Sequence, residues 1–72
     1  MTSDADSVVT VDTRGMRCPW PALRLARAMR SDAAVMLLAD DPQAGREIAA
    51  LAAEQGWALA PEAEGCWLVR RS

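Results

Sequence analysis

The sequence predicts an α/β two-layer sandwich: elements in the order β-α-β-α-β-β, a four-stranded mixed sheet, and both helices on one of its faces. Three observations predict it. Two short β-rich segments, SVVTVD at 7–12 and AVMLLA at 34–39, are each followed by a stretch with helical period. Each of those stretches opens on a proline, in Cys18-Pro19 and in Asp41-Pro42. Two further apolar segments, WALA and CWLVR, are separated by PEAEG, which reads as a hairpin connection. With 72 residues the chain has room for one core and no second domain.

The elements follow in order. Residues 1–6 are polar and acidic and read as a frayed tail, with the domain spanning 7–72. Ser7 to Asp12 alternates β-branched and polar residues, so it reads as a strand. Thr13 to Arg17 is a loop hinged at Gly15. A helix is expected from Cys18-Pro19 to about Arg30. At about 100° per residue, Ala22, Leu25, Ala26 and Met29 share one stripe, the expected core face. Arg24, Arg27 and Arg30 fall on the other side with Trp20, and Leu23 sits among them. Ser31-Asp32 closes this helix.

Ala34 to Ala39 is a continuous apolar run and suits a buried central strand. Asp41 before Pro42 is the expected cap of the second helix. Ala44, Ile48, Leu51, Ala52 and Gln55 share a face of it, and Gly56 ends it in the left-handed conformation. Trp57 to Ala60 and Cys66 to Arg70 read as the last strands, with Pro61 to Gly65 as the loop between them. Trp57 and Trp67 are expected in or beside the core, and Cys66 as a small strand residue facing it.

Composition narrows the function. The chain has no His, which removes the commonest general base and the commonest metal ligand. Apolar residues make up 51% of it, too many for a disordered chain. Its 8 basic residues, all Arg, face 10 acidic ones, a balance unlike that of a general nucleic-acid binder. No apolar run approaches the roughly 20 residues of a membrane helix, and MTSDADS has no signal-peptide pattern. The expectation is a cytoplasmic protein with free thiols, no cofactor, no metal, no direct nucleic-acid or membrane contact, and a monomeric state.

One cluster carries chemistry: Arg14-Gly15-Met16-Arg17-Cys18-Pro19-Trp20-Pro21. Its cysteine falls where a loop turns into a helix. Free N–H groups and the helix dipole favour an anion there, and Arg14 and Arg17 are expected to favour the thiolate further. Pro19 and Pro21 belong in a first turn, where a missing N–H costs little, and they stiffen the backbone that carries the sulfur. The third residue after Cys18 is Pro21, so a thioredoxin-type dithiol is excluded. Without His a papain-like mechanism is excluded too. A lone activated thiol suits a carrier, and the simplest cargo is sulfur itself, held as a persulfide.

The segment VDTRGMRCPWPALRLARAMR resembles the small sulfur carriers of the TusA/SirA family, whose signature is a Gly-hydrophobic-x-Cys-Pro-x-Pro run between the first strand and the first helix. Here that run is Gly15 to Pro21. The resemblance extends through Ala39-Asp40-Asp41-Pro42, Arg46-Glu47-Ile48 and Gln55-Gly56-Trp57, and covers roughly residues 7 to 71. Trp57 and Trp20 stand where many members have His and a polar residue. The resemblance implies strand order 1-2-4-3 with the last strand antiparallel. It also implies that Cys18 accepts a persulfide sulfur from a cysteine desulfurase or rhodanese-like donor and hands it to an acceptor protein. Destinations in the family include tRNA 2-thiouridine formation, molybdenum cofactor maturation and sulfur oxidation, with some members linked to selenium metabolism. Such a carrier has no independent enzymatic turnover.

The residues therefore nominate Cys18 as persulfide acceptor and donor, with Arg14, Gly15, Arg17, Pro19 and Pro21 in support. Trp20, Leu23, Arg24 and Arg27 form the expected partner-binding surface. The alternative is a non-catalytic regulatory or protein-interaction module that uses the first-helix surface, with Cys18 incidental. A third reading, a redox sensor pairing Cys18 with Cys66, has less to support it.

Overall fold

The structure, a computed structural model, describes residues 8–71. The expected tail at 1–6 and the expected strand residue Ser7 lie outside the described residues. Along the chain come β1 (Val9–Asp12), α1 (Trp20–Ser31), β2 (Ala34–Leu38), α2 (Ala44–Gln55), β3 (Ala58–Ala63) and β4 (Cys66–Arg70). The sheet order is β1-β2-β4-β3. β1 runs parallel to β2, and β4 runs antiparallel to both β2 and β3. This is the expected two-layer α/β sandwich, with the strand order that the resemblance implied.

Strand alternation sorts the side chains onto the two faces of the sheet. Val35 is paired with Val69 and Leu37 with Trp67 and Val11. These residues meet Leu25 and Met29 of α1 and Ala44 and Ile48 of α2, so both helices cover the same face. Leu25, Val35, Leu37, Ile48 and Val69 are fully buried and form the centre of the core. Trp57 and Trp67 pack against its margin, as expected. The small residues Ala44 and Ala52 let α2 lie close, and Gly45 keeps a Cβ from pressing on the Trp67 ring.

The other face carries Met36, Leu38, Cys66 and Leu68, cross-paired as Met36–Leu68 and Leu38–Cys66 and all half-buried. Cys66 thus faces away from the helices, contrary to its expected place in the core. Its Sγ lies 3.3 Å from Met36 Sδ. A short run such as CWLVR does not by itself say which alternate faces inward; the register against β2 decides.

Several boundaries move for identifiable reasons. α1 starts at Trp20 rather than Cys18, with Pro19 at the N-cap position and Pro21 buried in the first turn. Its buried stripe is Pro21, Leu25 and Met29, with Ala28 against the core; Ala22 and Ala26 are only half-buried. α2 starts at Ala44 rather than at Pro42, its N-cap is Gln43, and Gln55 is exposed rather than on the buried face. Gly56 closes it with φ +77°, as expected. β2 stops at Leu38, one residue short of the expected Ala39. β3 begins at Ala58 rather than Trp57 and continues through Pro61 to Ala63, where a loop is expected from sequence. Pro61 is tolerated because β3 is an edge strand, and the register slips between Pro61 and Ala63.

The C-terminal end of α1 is held from a distance. Arg71 donates from Nε and Nη2 to the Met29 carbonyl, at 3.2 and 2.6 Å, and from Nη2 to the Arg30 carbonyl at 3.0 Å. These are carbonyls that a helix end leaves without intrahelical partners, and a cation is favoured there. Arg71→Ala is expected to lower stability by about 1 kcal/mol, read as a fall in the urea midpoint with an unchanged slope.

Candidate functional site

Because β1 and β2 are parallel neighbours, the loops that leave their C-terminal ends lie side by side. The first, 13–19, carries Cys18; the second, 39–43, carries two aspartates. Thr13 ties the base of the first loop to β2. It is fully buried, and both its backbone N–H and its Oγ1 donate to the Leu38 carbonyl, at 2.8 and 2.6 Å. Its own carbonyl accepts from Met16 N–H at 3.0 Å and closes a turn around Gly15. Gly15 has φ +88°, the left-handed region where a side chain is strained.

The two aspartates then clasp this turn. Asp40 Oδ1 accepts from Gly15 N–H at 2.9 Å. Asp41 accepts from Gln43 N–H through Oδ1, at 3.0 Å, and from Cys18 N–H through Oδ2. Asp41 is therefore not the cap of α2 that the Asp-Pro pair suggests; it bridges the α2 entry turn to the cysteine loop. Those two backbone donors, and after them the nearby Arg17, hold its carboxyl below the usual carboxylate range. Between the loops lies a shallow depression of about 440 Å³ lined by Gly15, Met16, Arg17, Asp40, Asp41 and Pro42.

Cys18 is half-buried and its thiol is free. Its peptide bond to Pro19 is cis. Contrary to the expectation from sequence, the thiol is pushed above its ordinary pKa. Desolvation is the first cause; next come a hydrogen bond and the charge of Glu47, and then the charge of Asp41. The reason is positional. α1 begins two residues later, so the sulfur is not in its first turn, and the charges that act on it are carboxylates. Arg14, expected beside the sulfur, is drawn to Asp12 instead, with Nε and Nη2 donating to the two carboxylate oxygens at 2.9 and 2.8 Å. That pairing, led by the side-chain hydrogen bonds, lowers the Asp12 pKa from 3.8 to about 2.

Of the other nominated residues, Pro19 and Pro21 flank the start of α1 as expected. Trp20 and Leu23 are 57% and 51% exposed, the large apolar side chains of α1 that remain open to solvent. Arg24 and Arg27 are exposed on the same helix. Beside them, between α1 and α2, runs a groove of about 390 Å³ lined by Pro19, Ala22, Leu23, Glu47, Ala50, Leu51 and Glu54.

Thr13, Asp40 and Glu47 were not singled out from sequence. A signal existed for the aspartates: once two strands are adjacent and parallel, the residues just beyond their C-terminal ends converge, and ADDP follows the second strand directly. Glu47 falls in the Arg46-Glu47-Ile48 stretch that carries the resemblance, but nothing in that stretch says that it acts on the Cys18 thiol. Among the described residues no group of three or more His, Cys, Asp or Glu is placed to hold a metal ion, and no helix is long and apolar enough to cross a membrane.

Comparison with known proteins adds one positive finding. A family model described as Sulfurtransferase TusA matches residues 9–70, from the first residue of β1 to the last of β4. No curated protein matches the chain.

Proposed function

The chain belongs to the TusA family of sulfurtransferases, and from that membership we propose that Cys18 is the atom-carrying residue of a cytoplasmic sulfur relay. A sulfur-carrying role follows from the family; the residue, donor and acceptor are our reading. In it, Cys18 takes sulfur from a cysteine desulfurase or rhodanese-type enzyme. It passes the sulfur to an acceptor protein serving tRNA 2-thiouridine synthesis, molybdenum cofactor maturation or sulfur oxidation. The uptake step is thiol exchange. The Cys18 thiolate attacks the outer sulfur of the donor persulfide, the donor S–S bond breaks, and the donor cysteine leaves as a thiolate that takes up the proton. One S–S bond replaces another, so no external oxidant or reductant is needed.

The observation that carries this reading is the placement of Cys18. It is a free, partly accessible thiol just before the N-cap of α1, in a loop clasped by Thr13, Asp40 and Asp41 and flanked by Pro19 and Pro21. Gly15 supplies the positive φ that the clasp needs, and Arg17, next to Cys18 in the chain, lines the depression between the two loops. Trp20, Leu23, Arg24 and Arg27 are the surface a partner meets first, and the carrier acts as a monomer that docks transiently.

Intact mass after incubation with a cysteine desulfurase and cysteine tests the assignment. The wild type should gain the mass of one sulfur atom, Cys66→Ser should gain it equally, and Cys18→Ser should gain nothing. An adduct that survives in Cys18→Ser, or a wild type that takes up no sulfur, rejects the assignment.

A further inference from the structure

The uncovered face of the sheet brings two sulfur atoms together, away from the cysteine loop. Met36 is the middle residue of β2 and Cys66 the first of β4, and these strands are hydrogen-bonded neighbours. Met36 pairs with Leu68 and Cys66 with Leu38, so Met36 and Cys66 are diagonal neighbours on one face. The Cys66 thiol donates to the Met36 thioether, with Sγ and Sδ 3.3 Å apart. Both donors stand on central strands rather than on a loop, so the ladder between β2 and β4 fixes their spacing. Both side chains are half-buried, which leaves the pair open to an ion from solvent.

The surroundings decide which ion the pair suits. The cross-strand neighbours Leu38 and Leu68 are apolar, and Ala60 lies beside Leu68 on β3. Among the described residues no three His, Cys, Asp or Glu side chains come together, so a hard cation or a tetrahedral zinc finds no ligand set here. A thiolate with a thioether is the donor set that selects Cu(I). Charge points the same way. A bare thiolate among leucines is costly, whereas a thiolate bound to a monovalent cation is neutral as a unit.

We propose that Cys66 and Met36 form a binding site for a soft monovalent metal ion, Cu(I), on the face of the sheet opposite the helices. On binding, the Cys66 proton passes to solvent and the metal takes Sγ and Sδ as its two ligands; neither copper nor sulfur changes oxidation state. The sulfurs, now in direct contact, must part to admit the ion. The three rotatable bonds of the Met36 side chain allow this while the strands stay in place. The site does not depend on what Cys18 carries.

The test uses Cys18→Ser protein, in which Cys66 is the one remaining thiol of the chain. It is titrated without oxygen against Cu(I) held by the coloured chelator bicinchoninate, and the product is weighed by native mass spectrometry. One copper per chain should be taken from the chelator, and adding Cys66→Ser should abolish this. Adding Met36→Leu should weaken binding by at least about tenfold, the loss that even an outer-shell partner of a metal brings. Met16→Leu, in the cysteine loop, should leave the affinity unmoved. Equal affinity with and without the Met36 thioether would reduce the site to a single thiol and overturn the proposal, as would one copper shared between two chains. If Met36→Leu does not fold, X-ray absorption at copper on selenomethionine-labelled Cys18→Ser protein decides: a selenium neighbour supports the pair, and a copper without one overturns it.

Discussion

Ile48→Ala is expected to cost about 2–5 kcal/mol of unfolding free energy. Ile48 is fully buried, and the other buried residues of α2 are Ala44 and Ala52. Its side chain is therefore the one fully buried large apolar group of α2 in the cluster with Leu25, Met29, Val35, Leu37 and Val69, with Leu51 packed at the margin. Alanine there leaves a cavity that neighbours on two helices and two strands fill only by moving together. A domain of 72 residues has about 4–11 kcal/mol of stability in total, so the variant should sit near the threshold of folding at room temperature. Urea unfolding checks this: the midpoint should fall steeply with the slope unchanged. A loss below about 1 kcal/mol would mean that α2 is held by something other than this insertion.

Gly65→Ala is expected to follow closely. Gly65 has φ +72° in the turn between β3 and β4, a conformation that costs a non-glycine residue about 1–3 kcal/mol. A steric penalty is added, because a Cβ at this position would lie 2.6 Å from the Ala39 carbonyl oxygen. Backbone, not a flexible side chain, would have to move. The Ala39 N–H that donates to the Gly65 carbonyl at 3.0 Å would be displaced with it. Gly15→Ala supplies the control. Its φ is +88°, but nothing lies within 4 Å of the added Cβ, so it should show the conformational cost alone. Thermal melting of the two variants separates the contributions. Equal losses would mean that the contact with Ala39 contributes nothing.

What the sequence revealed, and what it hid, follows the range of the interactions involved. Periodicity and punctuation located all six elements, because Gly56, the two X-Pro pairs and the β-branched runs act within a few residues of themselves. The same local rules failed where a distant segment supplies the partner. Asp41 looks like a cap when only residues 41–44 are considered; its carboxylate turns partly to Cys18, 23 positions away. Pro61 looks like a loop residue until β3 is known to be an edge. Cys66 looks like core until its register with Leu38 puts it on the other face. The cysteine loop itself was legible from Gly15 to Pro21. The sign of its electrostatics was not, because Glu47 and Asp41 come from later segments of the chain, and one of the loop's two arginines, Arg14, is claimed by Asp12.

The sheet that separates the two cysteines has a further consequence. Cys18 lies in the loop that leads from β1 into the helical layer and Cys66 on the uncovered face of β4, so the two thiols lie on opposite sides of the sheet. In a flexible dithiol protein, a neighbouring thiol can attack a persulfide, release sulfide and leave a disulfide behind, which destroys the cargo. Here the second thiol of the same molecule is walled off from the first. Under the role proposed for Cys18, a sulfur loaded there leaves to a thiol of another molecule, so its lifetime on the carrier is set by encounters and not by an internal thiol.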